Sequence, residues 1–415
     1  SKASTNLTGK QINTMANELH LKELIREKAA GLLPDIIKIR RHLHAHPELS
    51  FEEFKTSEYI RNILTGQQIK FTEQWVRTGI VAEVGNTENY VQTIALRADI
   101  DALPIQETND VPYKSVNAGV MHACGHDVHT SCLIGALIIL NSLEVKWKNR
   151  TIGIFQPGEE KLPGGASLMI GEGLIDNYKP EAIFGLHVLP QMEASNVGIC
   201  PGKSMASSDE IYITIQGIGG HAAMPHLAID PILIAADVLS GIQKVVSRHA
   251  NPMIPTVLSF GKINSIGGAT NVIPDEVKIE GTFRTMDENW RREAHQIMRT
   301  YIQNTAEASG GKADVDIRKG YPCLINDDRL YAYGQQKLME LLDKNHVLDV
   351  PARMTSEDFA YYSQQIPSLF FRLGTGNRLK KITSPVHTSS FDADESALET
   401  GMAAMAYLAA CKMME

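Results

Sequence analysis

The spacing of apolar positions changes period along the chain, and each change predicts an element. Across residues 21–46, Leu24, Ile25, Leu32, Leu33, Ile36, Ile37 and Leu43 recur at helical intervals. Pro34 lies inside this stretch and predicts a break or kink, because proline offers no backbone N–H. A second helix is expected over residues 54–64. Short continuous apolar runs then take over. Residues 79–84, 93–96, 151–155 and 182–186 read as strands, with a helix after His126 whose apolar body is residues 132–140.

From about Gly202 the grammar shifts. Residues 210–216 alternate as a strand, and residues 231–248 carry an amphipathic helical pattern through Ile232, Ala235, Leu239, Ile242 and Val246. Strands are expected over residues 256–263 and 277–284, a long helix over 288–308 and a last strand over 313–318. The order β-α-β-β-α-β is that of the ferredoxin-like split unit. After Tyr321-Pro322 the first pattern resumes, with a helix over residues 330–342, a polar loop over 354–359, a strand over 368–373 and a closing helix over 396–410. The expected fold is therefore α/β with two domains. A mixed-sheet catalytic domain spans residues 21–201 and 318–415, and an inserted ferredoxin-like lid spans residues 202–317.

Composition narrows the partners. The chain has 415 residues, 43% hydrophobic and 21% charged, which is ordinary globular make-up and enough for a core without disulfide staples. Net charge is −8 with no basic run, which argues against nucleic acid. The apolar run at residues 132–140 is too short to span a bilayer. Five scattered cysteines do not form a disulfide framework. The first twenty residues are polar and show no signal peptide. The expectation is a soluble protein, cytoplasmic in preference to an exported form with its signal removed.

The candidate chemistry gathers at strand ends. Met121-His122-Ala123-Cys124-Gly125-His126-Asp127-Val128-His129 puts three histidines, a cysteine and an aspartate at the mouth of the apolar helix. Cys124 and His126 offer thiolate and imidazole to one point, which is metal-ligand chemistry. The competing reading is a helix start with incidental histidines, capped by Asp127. Other apolar strands run into Arg97-Ala98-Asp99-Ile100-Asp101, Gln156-Pro157-Gly158-Glu159-Glu160, and His187. In open α/β sheets the site lies outside the carboxyl ends of the strands. Cys124, His126, Glu160, His187 and the late His387 exceed what one tetrahedral ion needs, and suit two ions sharing a ligand. A carboxylate that binds no metal must still take a proton from water. Glu159 and Glu160 fit these two roles, and spacing does not decide which does which. Asp101 is placed to orient His126. His42, His44 and His46 do not converge on one helix face and are not expected to be ligands.

These motifs resemble the M20-type metallopeptidases, in the amidohydrolase branch that contains N-acyl-amino-acid hydrolases, hippurate hydrolases and auxin-conjugate hydrolases. The matching stretches begin at Arg40-Arg41-His42-Leu43-His44-Ala45-His46-Pro47-Glu48-Leu49-Ser50 and continue through Leu96-Arg97-Ala98-Asp99-Ile100-Asp101, the Met121–Asp127 block, and Gln156-Pro157-Gly158-Glu159-Glu160. They end with Gly185-Leu186-His187-Val188, Gly219-Gly220-His221-Ala222 and Asn271-Val272-Ile273-Pro274. The resemblance implies a two-metal catalytic domain and a smaller lid that dimerises. It implies metal ligands at Cys124, His126, Glu160, His187 and His387, with Cys124 bridging where most of the wider family carries an aspartate. It also assigns Glu159 as general base, His221 as oxyanion donor, and Asn271 and Arg284 as substrate-holding residues. One departure from the wider family is Asp99-Ile100-Asp101, which has no histidine, so His126 takes over that ligand role.

The expected function is metal-dependent hydrolysis of the amide bond of small N-acyl amino acids. The two divalent ions would be Zn or Mn, with Ni or Co as alternatives. The nearest rival is a dipeptidase or carboxypeptidase with the same machinery. A non-catalytic binding protein on this fold would have lost a ligand or the base, and none is missing. A structural-zinc role is disfavoured because Cys124 has no CxxC partner.

Overall fold

The computed structural model describes residues 9–415, and side chains from residue 20 onward. The first eight residues, within the polar stretch weighed above for a signal peptide, lie outside the described residues. The chain forms two compact units. One runs to Gly202 and takes in Ile325–Pro351 and Tyr361–Glu415, while the other comprises Lys203–Leu324 and Ala352–Ala360.

The first unit is built on an eight-stranded mixed sheet. Its order is Lys70–Trp75, Gly79–Gly85, Arg150–Gln156, Thr93–Asp99, Pro180–Glu193, Ser368–Gly376, Val197–Ile199 and Val347–Asp349. The four middle strands, from Arg150–Gln156 to Ser368–Gly376, are parallel. Every residue of Thr93–Asp99 and Arg150–Gln156 is buried, which is why their middle residues, 94–96 and 152–155, are apolar without alternation. The strands following Thr93–Asp99 in sequence, Arg150–Gln156 and Pro180–Glu193, lie on its opposite sides. The carboxyl end of Thr93–Asp99 is therefore a topological switch point, where α/β sheets open a crevice.

Helix His126–Ser142 is buried all round from His126 to Leu140, as its uninterrupted apolar run requires. It packs against the helices Gly9–Ala45 and Ala397–Met414. Gly125 begins it with φ +83°, and a Cβ there would stand 2.5 Å from Val188, so only glycine fits. Two expectations need correction. Helix Gly9–Ala45 is continuous through Pro34, so of the break or kink expected there the break does not occur. Pro34 and Ala30 are both exposed, so the carbonyl that loses its N–H partner belongs to the exposed side of the helix. The strand expected to end at His187 continues to Glu193. Arg97 is in register with Gly185, so His187 stands level with Asp99, the last residue of its shorter neighbour.

The second unit holds a four-stranded antiparallel sheet ordered Thr256–Ile266, Glu276–Thr285, Asp209–Gln216, Lys312–Lys319. Helices Pro231–Ile242 and Glu288–Ala308 complete the β-α-β-β-α-β order. Ile211, Ile213 and Ile215 point inward at period two, onto Val238, Met298 and Ile302 of the helices. The helix expected over residues 231–248 stops at Ile242 and is followed by a π-helical turn, Val245–His249.

Candidate metal centre

Five side chains from four separate segments of the first unit converge. Cys124 Sγ lies 3.4 Å from His187 Nε2 and 3.3 Å from His387 Nε2. His387 Nε2 is 3.2 Å from Glu160 Oε1, and His126 Nε2 is 3.9 Å from the same oxygen. The donors fall into two triads, Cys124–His126–His187 and Cys124–Glu160–His387, each with all ligand atoms within 4.8 Å of one another. Cys124 is the member common to both. Glu159 offers a buried carboxylate oxygen within the same distance of the His126 and Glu160 donor atoms.

His187 and His126 are each held by a hydrogen bond at Nδ1 that leaves Nε2 toward the other donors. His187 Nδ1–H donates to the carbonyl of Val188 at 2.9 Å, leaving Nε2 toward Cys124. His126 Nδ1–H donates to the Asp101 carbonyl at 2.8 Å and its carboxylate at 3.2 Å. His126 Nε2 is buried and has no hydrogen-bond partner among the described residues. An orphaned buried nitrogen is costly unless something fills its valence, and a cation does. His387 adopts a left-handed backbone, φ +61°, held by donation of its N–H to the Ala123 carbonyl at 2.7 Å.

The electrostatics agree with a cation. Burial, and then the carboxylates of Glu160, Glu159 and Asp99, push the Cys124 thiol well above its ordinary range. Burial works to lower His126, but Asp99, Asp101 and Glu160 outweigh it and raise the imidazole to about 10. Burial, and then the neighbouring His129 and Arg372 side chains, lower His187 well below its ordinary range, into the neutral form that ligates. A buried thiol, imidazoles and carboxylates crowded together are a donor set that a divalent cation satisfies, and the residues fit such a group.

Three supporting contacts were not legible in the sequence. Asp99 Oδ1 accepts from His129 Nδ1–H at 2.6 Å, and His129 Nε2 in turn accepts the Val188 N–H at 2.9 Å. This fixes the backbone next to His187. Arg97 ties Asp99 Oδ2 at 2.7 Å to the Gln156 amide at 2.9 Å, joining the ends of two strands. Behind the helix mouth, Asp127 Oδ2 accepts from Arg40 Nε at 2.7 Å and His44 Nδ1 at 2.8 Å, all three fully buried. His42 instead stacks on Tyr59.

The second unit carries the other predicted residues. His221 lies on a two-residue strand, Gly220–His221, that pairs with Val272–Ile273. Asn271 accepts the Ala222 N–H through its carbonyl at 3.0 Å, so His221 and Asn271 are neighbours. His221 Nδ1 accepts the Ala223 N–H at 3.1 Å, which places its ring proton on Nε2. Arg284 sits on the strand Glu276–Thr285, half-buried, with one N–H on the Met354 carbonyl at 3.2 Å.

Convergent donors at a switch-point edge, with a carboxylate to spare, are the equipment of a metal-dependent hydrolase. The family model described as Peptidase family M20/M25/M40 matches residues 95–410, and the chain belongs to that family, within its amidohydrolase branch. It is 38% identical over 392 residues to an N-acetyl-L-cysteine deacetylase of Bacillus subtilis, covering 94% of this chain and 90% of that one. It is 36% identical over 400 residues to a thermostable carboxypeptidase of Saccharolobus solfataricus, covering 94% and 98%. Among solved structures, a dinuclear metal-binding peptidase of the M20 family from Bacillus subtilis superposes with a TM-score of 0.78 at 33% identity, covering 92% of this chain and 99% of that one. No helix among the described residues is long and apolar enough to cross a membrane.

Proposed function

We propose that this protein hydrolyses the amide bond of N-acyl amino acids with two divalent metal ions, Zn or Mn in preference to Ni or Co. The observation that carries the reading is the pair of donor triads meeting at Cys124, with Glu159 beside them. Cys124 would be the shared ligand, with His126 and His187 completing one site and Glu160 and His387 the other. When bound, the ions supply Lewis acidity, acidifying water and polarising a carbonyl oxygen.

The chain's own residues do the rest. Glu159 takes a proton from water as the oxygen attacks the acyl carbon, then passes that proton to the leaving amine nitrogen. Asp101 keeps His126 in the tautomer that presents Nε2. His221 donates its Nε2–H to the oxyanion, a role that its Nδ1 contact with Ala223 supports. Asn271 and Arg284 hold the amino acid's carboxylate, for which a guanidinium fork is suited. The second unit is also the surface through which two copies pair, as the family resemblance implies.

Similarity to the Saccharolobus carboxypeptidase favours a second reading, cleavage of peptides by the same chemistry. Product analysis on N-acetyl amino acids and hippurate against free-amino dipeptides separates the two. Preference for the acylated substrates supports the amidohydrolase reading, and cleavage of dipeptides alone overturns it.

A further inference from the structure

The turn Glu48–Glu53 begins at the end of a motif that no ligand or base assignment uses, and it touches the base-bearing loop at several points. Glu53 is fully buried. Its Oε1 accepts two backbone N–H groups, from Phe51 at 2.8 Å and from Gly158 at 2.9 Å. Its Oε2 accepts the Thr78 hydroxyl at 2.7 Å. Phe51 and Gly158 both have left-handed backbones, φ +68° and +63°. They press together so closely that a Cβ on Gly158 would stand 2.2 Å from the Phe51 ring. A phenylalanine at positive φ is strained and persists only where its surroundings hold it. The hold here is the Phe51 N–H on Glu53.

The other side of Glu159 is fixed as well. The Glu160 N–H donates to Asp101 Oδ2 at 3.0 Å, and the Ser50 hydroxyl donates to the same oxygen at 2.7 Å. The amides immediately before and after Glu159 are thus both tied to carboxylates that also bind the 50–53 turn. We propose that Glu53 is a positioning residue, pinning Gly158 so that Glu159 is presented at a fixed place in the site. This rests on the reading of Glu159 as the base. All three partners of Glu53 are donors, so the pin requires an acceptor at Oε1 rather than a negative charge. A glutamine oxygen there serves the same two N–H groups, while its amide can donate to the Thr78 hydroxyl.

The test compares Glu53→Ala and Glu53→Gln in the full, metal-loaded chain. It reads hydrogen–deuterium exchange over residues 157–161, metal content, kcat and KM. The expected result is lost protection of this loop in Glu53→Ala, with kcat down by about tenfold to a hundredfold and KM and metal content held. Glu53→Gln should restore protection and bring kcat to within a few-fold of wild type. If Glu53→Ala does not fold, Glu53→Asp withdraws the oxygens by one methylene and should show the same loss. Unchanged loop protection in the Ala or Asp variant overturns the pin. Lost protection with unchanged kcat overturns its bearing on catalysis, as does equal impairment of Gln and Ala. A wild-type protein inactive on acylated and peptide substrates alike would sink the functional reading instead, while loop exchange would still decide the pin.

Discussion

Cys124 Sγ lies 3.3 Å from His387 Nε2, although 263 residues separate them in sequence. The contact closes the second donor triad, and the His387 N–H on the Ala123 carbonyl secures it from the other side. Cys124 stands in both triads, so its loss should be felt by both sites. Cys124→Ala is expected to lose bound metal and turnover together, whereas Glu159→Gln should keep its metal and lose about 10²- to 10⁴-fold in kcat. Metal analysis beside steady-state kinetics checks both. A Cys124→Ala protein that retains two ions would refute the shared-ligand assignment.

Asp101 stands behind His126, where the proposed function gives it a supporting role. Its carboxylate and carbonyl receive His126 Nδ1–H, and the carboxylate also accepts from Ser50 and the Glu160 N–H. Asp101→Asn should weaken metal affinity by about 10- to 100-fold. Competition against a chelator measures it, and unchanged affinity would remove Asp101 from the supporting role.

The Arg40–Asp127–His44 cluster is buried in the first unit, with Arg40 also bonded to Asp392 at 2.8 Å. Asp127→Ala leaves a guanidinium and an imidazole without their shared acceptor. Breaking a buried pair from one side is expected to cost about 3–5 kcal/mol. Thermal unfolding of the variant reads this, and a loss below about 1 kcal/mol would mean the cluster behaves like a surface pair.

Glu53 gives stability a pH dependence of definite sign. Burial, and then the charge of Asp101, push its carboxyl up from 4.5 to about 7. The folded chain therefore holds this proton more tightly than the unfolded one. Stability from this group is fully present below 4.5 and is lost as pH rises through about 7. Glu53→Gln, which cannot ionise, should flatten that part of the melting-temperature profile. A profile of unchanged slope over this range would contradict the assignment.

Elements that announce themselves locally were legible in the sequence. The apolar runs inside Thr93–Asp99 and Arg150–Gln156 do not alternate because both faces of those strands are covered, and the polar residues at their ends point to the site. The apolar run at residues 182–186 marks the strand that carries His187 but not its end at Glu193, because apolar pattern cannot show that a strand outlasts its neighbours. Pro34 does not break its helix, because the penalty for a missing N–H depends on how exposed that side of the helix is, which is a tertiary fact. The contacts of Asp99 with His129, and of Glu53 with Gly158, join residues 30 and 105 positions apart. Pairings at such separations have no period, so only the folded chain reveals them.

The most direct test of the metal centre is to strip the protein of metal and add Mn or Zn stepwise while following cleavage of an N-acetyl amino acid. Two donor triads joined at Cys124 predict an inactive metal-free protein that recovers as the ions fill both sites. Cleavage that survives complete metal removal, or that is full with one ion per chain, would contradict the account.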